Sequence, residues 1–401
     1  MLTAVDTVHV RMADAGDLYI SWRWFPDGAN GMAIVAEDDV RQAVSRLTAA
    51  LPRPGAMPAA LTDGPFADYD AELALGTELA QTLLPEQLSR EIRTRVRPHV
   101  RIQPAPRVAQ VPWELLALAD DTRVLDVADV SLLAPAGLVH GTRRTQRPYD
   151  PKLPTVRVID PRVPGFAANS ALGSVLGRLP SDSPLHPTRR TDTDRDWLSR
   201  QLRSGASSLL YVGHVTAAAV ESGASETAQM HLCCGAAAAG FAPVLRGHRP
   251  LSAQDLLLGT HGLDTEPVAG PDKWPIPSRV ALIACESGGD LRFGEALGLV
   301  AAMIHGGAQL VTATRWALPT DAAFALAGAT GCPLHDAVCA VEAAHREPDD
   351  PDIRTPAPVS ALCTWQRARL DAWRHTRAVA ASPLLWAAFA TIATAPTSAA
   401  T

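Results

Sequence analysis

The chain has 401 residues, of which 47% are hydrophobic, so it can bury a sizeable core and form two or three structural units. Its formal net charge of −6 argues against a nucleic-acid footprint over the whole molecule, because such footprints are basic. We therefore expect a globular protein with no nucleic-acid partner.

The cysteines and the apolar runs indicate where the protein works. Six unevenly spaced cysteines in a long chain do not form the disulfide framework of a small secreted domain. No signal peptide is recognised at the N-terminus, and apolar runs are interrupted well before the ~18 residues that cross a membrane. The adjacent Cys233 and Cys234 lack the gap of a zinc knuckle. We expect a cytoplasmic protein without membrane contact, metal or cofactor.

Residues 1–95 predict a small α+β unit. Apolar and polar residues alternate over 7–11 and 18–24 about a turn at Ala15-Gly16, which favours a β-hairpin. A short strand over 32–35 and helices over 38–51, 68–84 and 85–95 follow, the first capped by Glu37 or Asp38. No catalytic constellation lies here, so we interpret 1–95 as a structural or interaction unit that binds a regulatory protein partner.

From Pro98 onward, strand and helix patterns alternate, which predicts one domain over 96–401. Such alternation is typical of a doubly wound, mostly parallel sheet with helices on both faces. The predicted strands cover 99–102, 124–128, 156–160, 208–212, 230–233, 280–284 and 309–313.

One histidine directly follows a predicted buried strand. Residues 207–212 read SSLLYV, and Gly213-His214 comes next, after an amphipathic helix pattern over 194–203. Parallel sheets place their chemistry beyond the carboxyl ends of their strands, so His214 is a candidate base; the alternative is a structural histidine. The segment 216–229 is small and polar, which fits either a mobile lid or an inert surface loop.

A cysteine occupies the same kind of position in the following βαβ pattern. The apolar run 280–284 ends at Cys285, and a helix pattern over 294–305 leads to the strand at 309. Free cysteine is often just a small buried hydrophobe, but the polar and small residues 286–289 take the chain out of the core at once. Neighbouring parallel strands lie about 5 Å apart, so Cys285 and His214 can meet as nucleophile and base.

A proline- and acid-rich segment interrupts the late helices. Residues 347–358 read EPDDPDIRTPAP, a composition that cannot pack a core. The segment is either a disordered crossing between helices or a place where the chain is processed.

Six motifs occur in an order that suggests a family. They are VPWELLA (111–117), VRVIDPRVPG (156–165), YVGHV (211–215), ALIACESGG (281–289), GEALGLVAAMIHGGAQLVTATRWALPTDAA (294–323) and SPLLWAAFATIA (382–393). Together they resemble the CHAT domain, a caspase-like cysteine peptidase family of the same clan as caspases and separase. The resemblance covers roughly 97–395 and implies that a Cys-His dyad suffices for catalysis.

The dyad would need an oxyanion site and a substrate pocket. The backbone N–H of Cys285 and one from Gly213 to Val215 are the natural oxyanion donors, since both lie where strands end. Asp160 could orient His214 or cap its own loop. For the pocket, Asp160, Glu286, Asp290 and Asp321 are candidate carboxylates, and Trp316 is a candidate apolar wall; the sequence leaves the choice open.

These features predict a regulated cysteine endopeptidase that cleaves a protein partner, and the resemblance implies a bacterial stress or defence setting. The alternative is a catalytically silent scaffold or ligand-sensing module. It is motivated by Val215, which stands where the family commonly has glycine after the histidine, and by the absence of an obvious third catalytic group.

Overall fold

The computed structural model of the protein describes residues 5–53, 55–141, 144–167, 170–186, 192–350 and 355–394. The chain forms two compact units, Met1–Leu133 with Pro319–Thr391 and Ala134–Leu318 with Ile392–Thr401. The strands are β1 (Thr7–Ala15), β2 (Asp17–Phe25), β3 (Asn30–Val35), β4 (His99–Gln103), β5 (Ala117–Ala119), β6 (Thr122–Arg123), β7 (Asp129–Leu133), β8 (Thr155–Ile159), β9 (Ser208–Val212), β10 (Val215–Thr216), β11 (Gln229–Met230), β12 (Leu251–Ser252), β13 (Arg279–Ile283), β14 (Leu310–Thr314) and β15 (Phe389–Ala393). The helices are α1 (Glu37–Ala50), α2 (Met57–Thr62), α3 (Tyr69–Leu83), α4 (Glu86–Thr94), α5 (Val124–Val127), α6 (Ala136–Val139), α7 (Arg195–Arg203), α8 (Ala253–Leu258), α9 (Gly270–Lys273), α10 (Leu299–Gly306), α11 (Asp321–Leu326), α12 (Pro333–Arg346), α13 (Ala357–Thr376) and α14 (Pro383–Trp386).

The first unit is built on strands in the order β3-β2-β1-β4-β7-β15. Strands β1 and β2 form the predicted hairpin and turn at Gly16, whose φ of 81° suits a residue without a side chain. Strand β1 pairs in parallel with β4, and β4 with β7. Helix α13 packs on β7 and against α12. The predicted division at residue 95 therefore falls inside a sheet, because β1 and β4 lie on either side of it.

The second unit holds four parallel strands in the order β14-β13-β9-β8. Strands β9, β13 and β14 are buried along their whole length, as their continuous apolar runs predict. Helix α10 packs against α6 and α8. A small antiparallel sheet of β10, β11 and β12 follows the strand that carries the candidate histidine. The predicted fold class, mixed α/β with a mostly parallel sheet flanked by helices and antiparallel strands near the N-terminus, is confirmed.

Four local predictions differ from the structure. Neither Glu37 nor Asp38 caps the first helix, because α1 begins at Glu37 and its N-cap residue is Ala36, with no side-chain cap. Residues 124–127 form α5 rather than a strand, since the Asp126 carboxylate accepts the Arg123 N–H at 2.8 Å and caps a helical turn. The predicted strand 230–233 is reduced to β11, outside the parallel sheet. The predicted helix at 294 begins only at Leu299, where the Asp290 carboxylate accepts the Ala301 N–H at 3.0 Å. Of the segment 347–358, residues 351–354 lie outside the described part of the chain.

Candidate active site

The pairing of β9 with β13 sets the positions of the two predicted catalytic residues. The register pairs Tyr211 with Leu282 and Val212 with Ile283. His214 and Cys285 each lie two residues beyond the last of these pairs, so they occupy equivalent positions at the carboxyl ends of adjacent strands. Strands of one sheet run about 5 Å apart. The structure thus brings the two residues to the same edge of the sheet, although no hydrogen bond joins their side chains among the described contacts.

A backbone carbonyl holds the His214 ring. Its Nε2 lies 2.8 Å from the carbonyl oxygen of Gly173. A carbonyl only accepts, so Nε2 carries the hydrogen, and in the neutral ring Nδ1 has a free lone pair. Burial lowers the pKa of His214, an effect that the Gly173 bond and the charge of Asp160 oppose. The ring is therefore neutral near pH 7 and has the tautomer that a base at Nδ1 requires.

Asp160 acts on the loop that holds the histidine ring. Its carboxylate accepts the Val175 N–H at 2.9 Å and the Ser174 hydroxyl. Both donors directly follow Gly173 in sequence, so Asp160 fixes the loop whose carbonyl orients His214. Asp160 is buried and adopts a φ of 48° at the end of β8. The role of Gly173 in holding the His214 ring could not be predicted from the sequence, because the group involved is a main-chain carbonyl, which any residue could supply.

The Cys285 thiol is protonated at neutral pH until a base takes its proton. The residue is partly exposed. Burial raises the pKa of its thiol, and the neighbouring Glu286 adds to the rise. The backbone N–H of Leu318 donates to the sulfur and lowers the pKa, which favours the thiolate. The thiol therefore depends on a neighbouring base such as His214.

The turn after Cys285 is tied to β14 by a buried hydroxyl pair. The Ser287 hydroxyl donates to the carbonyl of Leu282 at 2.6 Å and accepts the Thr314 N–H at 3.0 Å. The Thr314 hydroxyl donates to the carbonyl of Ala284, and the Gly288 N–H donates to the carbonyl of Thr314 at 3.0 Å. Ala284, directly before Cys285, and Ser287 and Gly288, in the turn after it, are thereby fixed to the neighbouring strand.

Of the predicted oxyanion donors, Gly213 is already engaged. Its N–H donates to the carbonyl of Ile283 at 3.3 Å and extends the pairing of the two strands by one residue. The Cys285 N–H, in contrast, has no backbone carbonyl partner among the described residues. It remains available to a negatively charged oxygen.

Val215 provides a second free N–H. Val215 pairs with Met230 in the small antiparallel sheet. The adjacent pair, His214 and His231, is hydrogen-bonded, because the His231 N–H donates to the carbonyl of His214 at 3.1 Å. Antiparallel pairs alternate between bonded and non-bonded, so the N–H of Val215 points away from its partner strand. Valine in place of glycine leaves this donor intact.

The candidate pocket residues differ in their surroundings. Glu286 is partly exposed, adopts a φ of 51° and lies 3.6 Å from the guanidinium of Arg292. The Trp316 side chain is only 1% exposed and belongs to the core. Asp321 belongs to the other compact unit, where its carboxylate accepts two N–H groups at the start of α12. Glu286 is therefore the charged residue nearest in sequence to Cys285 that is still partly exposed to solvent.

Two further observations concern binding in general. Among the described residues, no three His, Cys, Asp or Glu side chains cluster so as to hold a metal ion. None of the helices in that part of the chain combines the length and the apolar character needed to cross a membrane.

Comparison with known proteins identifies the family. The family model of the CHAT domain matches residues 73–394, which include both His214 and Cys285. The chain belongs to the CHAT domain family. No curated protein matches it. This match confirms the resemblance seen in the motifs. A CHAT domain has a caspase-like, cysteine peptidase-type fold.

Proposed function

We propose that this CHAT domain protein is a cysteine endopeptidase with Cys285 as nucleophile and His214 as base. The observation that carries the proposal is their equivalent position on neighbouring parallel strands, combined with a histidine tautomer that leaves Nδ1 free. We further propose that the enzyme cleaves a protein partner in the cytoplasm, under regulation, as part of a bacterial stress or defence system. This biological setting rests on the family resemblance alone.

The reaction follows the acyl-transfer scheme of cysteine peptidases. Nδ1 of His214 takes the proton of Cys285, and the thiolate attacks the substrate carbonyl. The N–H groups of Cys285 and Val215 stabilise the oxyanion. His214 then gives its proton to the leaving amine, which departs as the C–N bond breaks. Water activated by His214 hydrolyses the thioacyl intermediate and restores the thiol.

The segment 216–229 and the N-terminal unit supply the proposed regulation. Residues 216–229 directly follow Val215, the residue after His214, and contain two short 3₁₀ turns, Val220–Ser222 and Ser225–Thr227. We propose that this segment gates the site and that a partner bound to the N-terminal residues shifts its state. An endopeptidase with such a gate is expected to be weakly active in isolation.

A catalytically silent scaffold is the second candidate. The observations that favour it are the raised pKa of the Cys285 thiol and the absence, among the described contacts, of a hydrogen bond to His214. Catalytic hydrogen bonds are often long without substrate and tighten on closure, so this geometry is compatible with either function.

Thiol labelling and cleavage separate the two candidates. Iodoacetamide at neutral pH, followed by peptide mass spectrometry, should label Cys285 faster than Cys332. Cys332 is a matched control, because it is also partly exposed and burial also raises the pKa of its thiol. His214→Gln should slow labelling at Cys285 alone. Equal rates at both cysteines, unchanged by that substitution, would favour the scaffold.

Cleavage of a peptide library, read by mass spectrometry, tests the activity itself. Cys285→Ala should abolish cleavage and change the free energy of unfolding by no more than about 1–2 kcal/mol, while Cys332→Ala should retain activity. Cleavage that persists in Cys285→Ala would exclude this residue as the nucleophile.

A further inference from the structure

The terminal strand of the first unit exposes apolar side chains. Strand β3 ends the strand order and pairs on one side with β2. Met32 is 79% exposed and Ile34 62%. The sequence of β3, NGMAIV, contains none of the charged residues or prolines with which proteins usually protect an edge strand.

The free backbone groups of β3 can be assigned from its register. The Trp24 N–H donates to the carbonyl of Ala29 at 2.7 Å, so this pair is hydrogen-bonded. Bonded and non-bonded pairs alternate along antiparallel strands, which leaves Asn30, Met32 and Ile34 in non-bonded pairs with β2. Their N–H and C=O groups therefore point to the open edge, at the spacing that an added strand would use.

A groove runs beside this edge. It has a volume of about 420 Å³ and lies between β3 and the helices α1, α3 and α4. Apolar side chains such as Ala33 and Leu84 form part of its lining, and the carboxylates of Asp39, Glu78 and Glu86 contribute charge. A strand added to β3 would direct every second side chain toward this groove and the others beside Met32 and Ile34.

The acidic residues of the groove favour an added strand that carries basic side chains. Glu78 pairs with Arg46 at 2.8 Å, and Glu86 lies 3.8 Å from Arg90. Both pairs are exposed, and such surface pairs are weak. Asp39 is exposed on the same rim. A basic side chain can lay its apolar stem along the groove and place its charge at this rim.

We propose that β3 binds an extended segment of a partner protein as an additional strand. Basic residues of that segment point into the groove, and alternate apolar residues lie beside Met32 and Ile34. Main-chain hydrogen bonds to the free edge provide affinity, and the alternating side chains provide specificity, as in other cases of strand addition. A second copy of this chain fits less well, because two-fold pairing of β3 with itself would bring acidic rims together. Binding at this edge does not require the proposed peptidase activity and can be measured without it.

A designed peptide tests the proposal on the full chain. The probe is fluorescein-labelled Lys-Val-Lys-Val-Lys-Val-Lys, and its control has glutamate in place of lysine. Fluorescence anisotropy should show saturable binding of the lysine peptide only. Methylation of alternate peptide amides should weaken binding by about two- to tenfold for each edge hydrogen bond lost.

Two protein variants separate the contribution of the Met32 N–H to peptide binding from that of the Met32 side chain. Met32→Pro and Met32→Thr both remove the methionine, but only proline removes the free N–H, which the pairing with β2 does not use. Met32→Pro should weaken binding relative to Met32→Thr, with unchanged melting temperatures as the control for folding. In the unaltered protein, the peptide should slow amide exchange of Met32 and Ile34 but not of Ala33.

Three outcomes would overturn the proposal. The first is equal binding of the lysine and glutamate peptides. The second is binding that neither peptide methylation nor Met32→Pro weakens, with no protection of the alternate amides. The third is a stable dimer in light scattering that Met32→Pro dissociates, which would show that a second copy occupies the edge.

Discussion

Replacement of Asp160 by asparagine tests whether the loop at 173–175 positions His214, the candidate catalytic base. The substitution keeps the size of the side chain and removes its charge. Asparagine also tolerates the φ of 48° at this position better than alanine would, so the variant adds little backbone strain. The oxygen can still accept the Val175 N–H, and the Ser174 hydroxyl can rotate to accept from the new amide.

The expected magnitude follows from these two hydrogen bonds. A bond to a charged group contributes about 1.5–3 kcal/mol and a neutral one about 0.5–1.5 kcal/mol, so Asp160→Asn should lower the free energy of unfolding by about 2 kcal/mol. Ser174→Ala removes one bond to the carboxylate outright, together with the bond that the Gly177 N–H donates to the same hydroxyl, and should cost at least as much, about 2–4 kcal/mol. The charge of Asp160 also raises the pKa of His214, so the variant should lower that pKa.

The assay is the iodoacetamide reaction of Cys285 as a function of pH. If neutral His214 takes the thiol proton, as proposed, the rate of labelling falls as the pH drops through the pKa of His214. Asp160→Asn should shift this acid limb to lower pH, and the loosened loop should reduce the plateau rate by about 5–30-fold for 1–2 kcal/mol of lost positioning. A merely structural role would lower the melting temperature and leave the acid limb in place. An unchanged melting temperature and an unchanged profile would refute the reasoning.

Two further predictions concern stability. Arg123→Met leaves the buried Glu72 carboxylate, 3.0 Å from the guanidinium in the native protein, without its cation; this should cost about 3–5 kcal/mol, and the double variant with Glu72→Leu should recover most of it in thermal melts. An equal loss in the single and double variants would contradict this. Burial and neighbouring histidines lower the pKa of His231 to about 3 from 6.5, so the unfolded chain binds a proton more readily and stability should fall as pH drops below about 6.5. His231→Gln should reduce this dependence by up to about 1.4 kcal/mol per pH unit, and an unaltered slope in pH-dependent melts would count against it.

The sequence predicted best those strands whose apolar pattern can be recognised within the strand itself. Strand β9 has the predicted bounds, and β13 and β14 differ from theirs by one residue, because runs buried on both faces can hardly adopt another structure. Pairing could be inferred only from shared context, and the register confirmed that β9 and β13 are neighbours. The strand predicted over 124–128 was wrong, because a short apolar run fits a helix and a strand equally well. The cap formed by the Asp126 carboxylate favours the helix.

The supporting groups of the site could not be predicted for a different reason. The carbonyl of Gly173 and the N–H of Leu318 are main-chain groups, and every residue except proline carries both kinds. Only the fold distinguishes one of them from the rest. The sequence marked Asp160 as a candidate to orient His214, and the structure shows contacts through the intervening loop. Sequence patterns thus indicate which side chains carry the chemistry, while the main chain that positions them emerges only from packing.

The two loops that leave the candidate dyad are joined by one buried hydroxyl. Ser225, in the segment 216–229 after His214, donates to the carbonyl of Glu295 at 2.8 Å and accepts the Leu297 N–H at 2.8 Å. Displacement of this segment must therefore break both bonds and release the loop that follows Cys285. Each bond contributes about 1 kcal/mol net, so a partner with a few kcal/mol of differential affinity can decide the state of the segment. A gate at this position would act on the surroundings of both His214 and Cys285 at once, because its anchor bonds to the loop that follows Cys285.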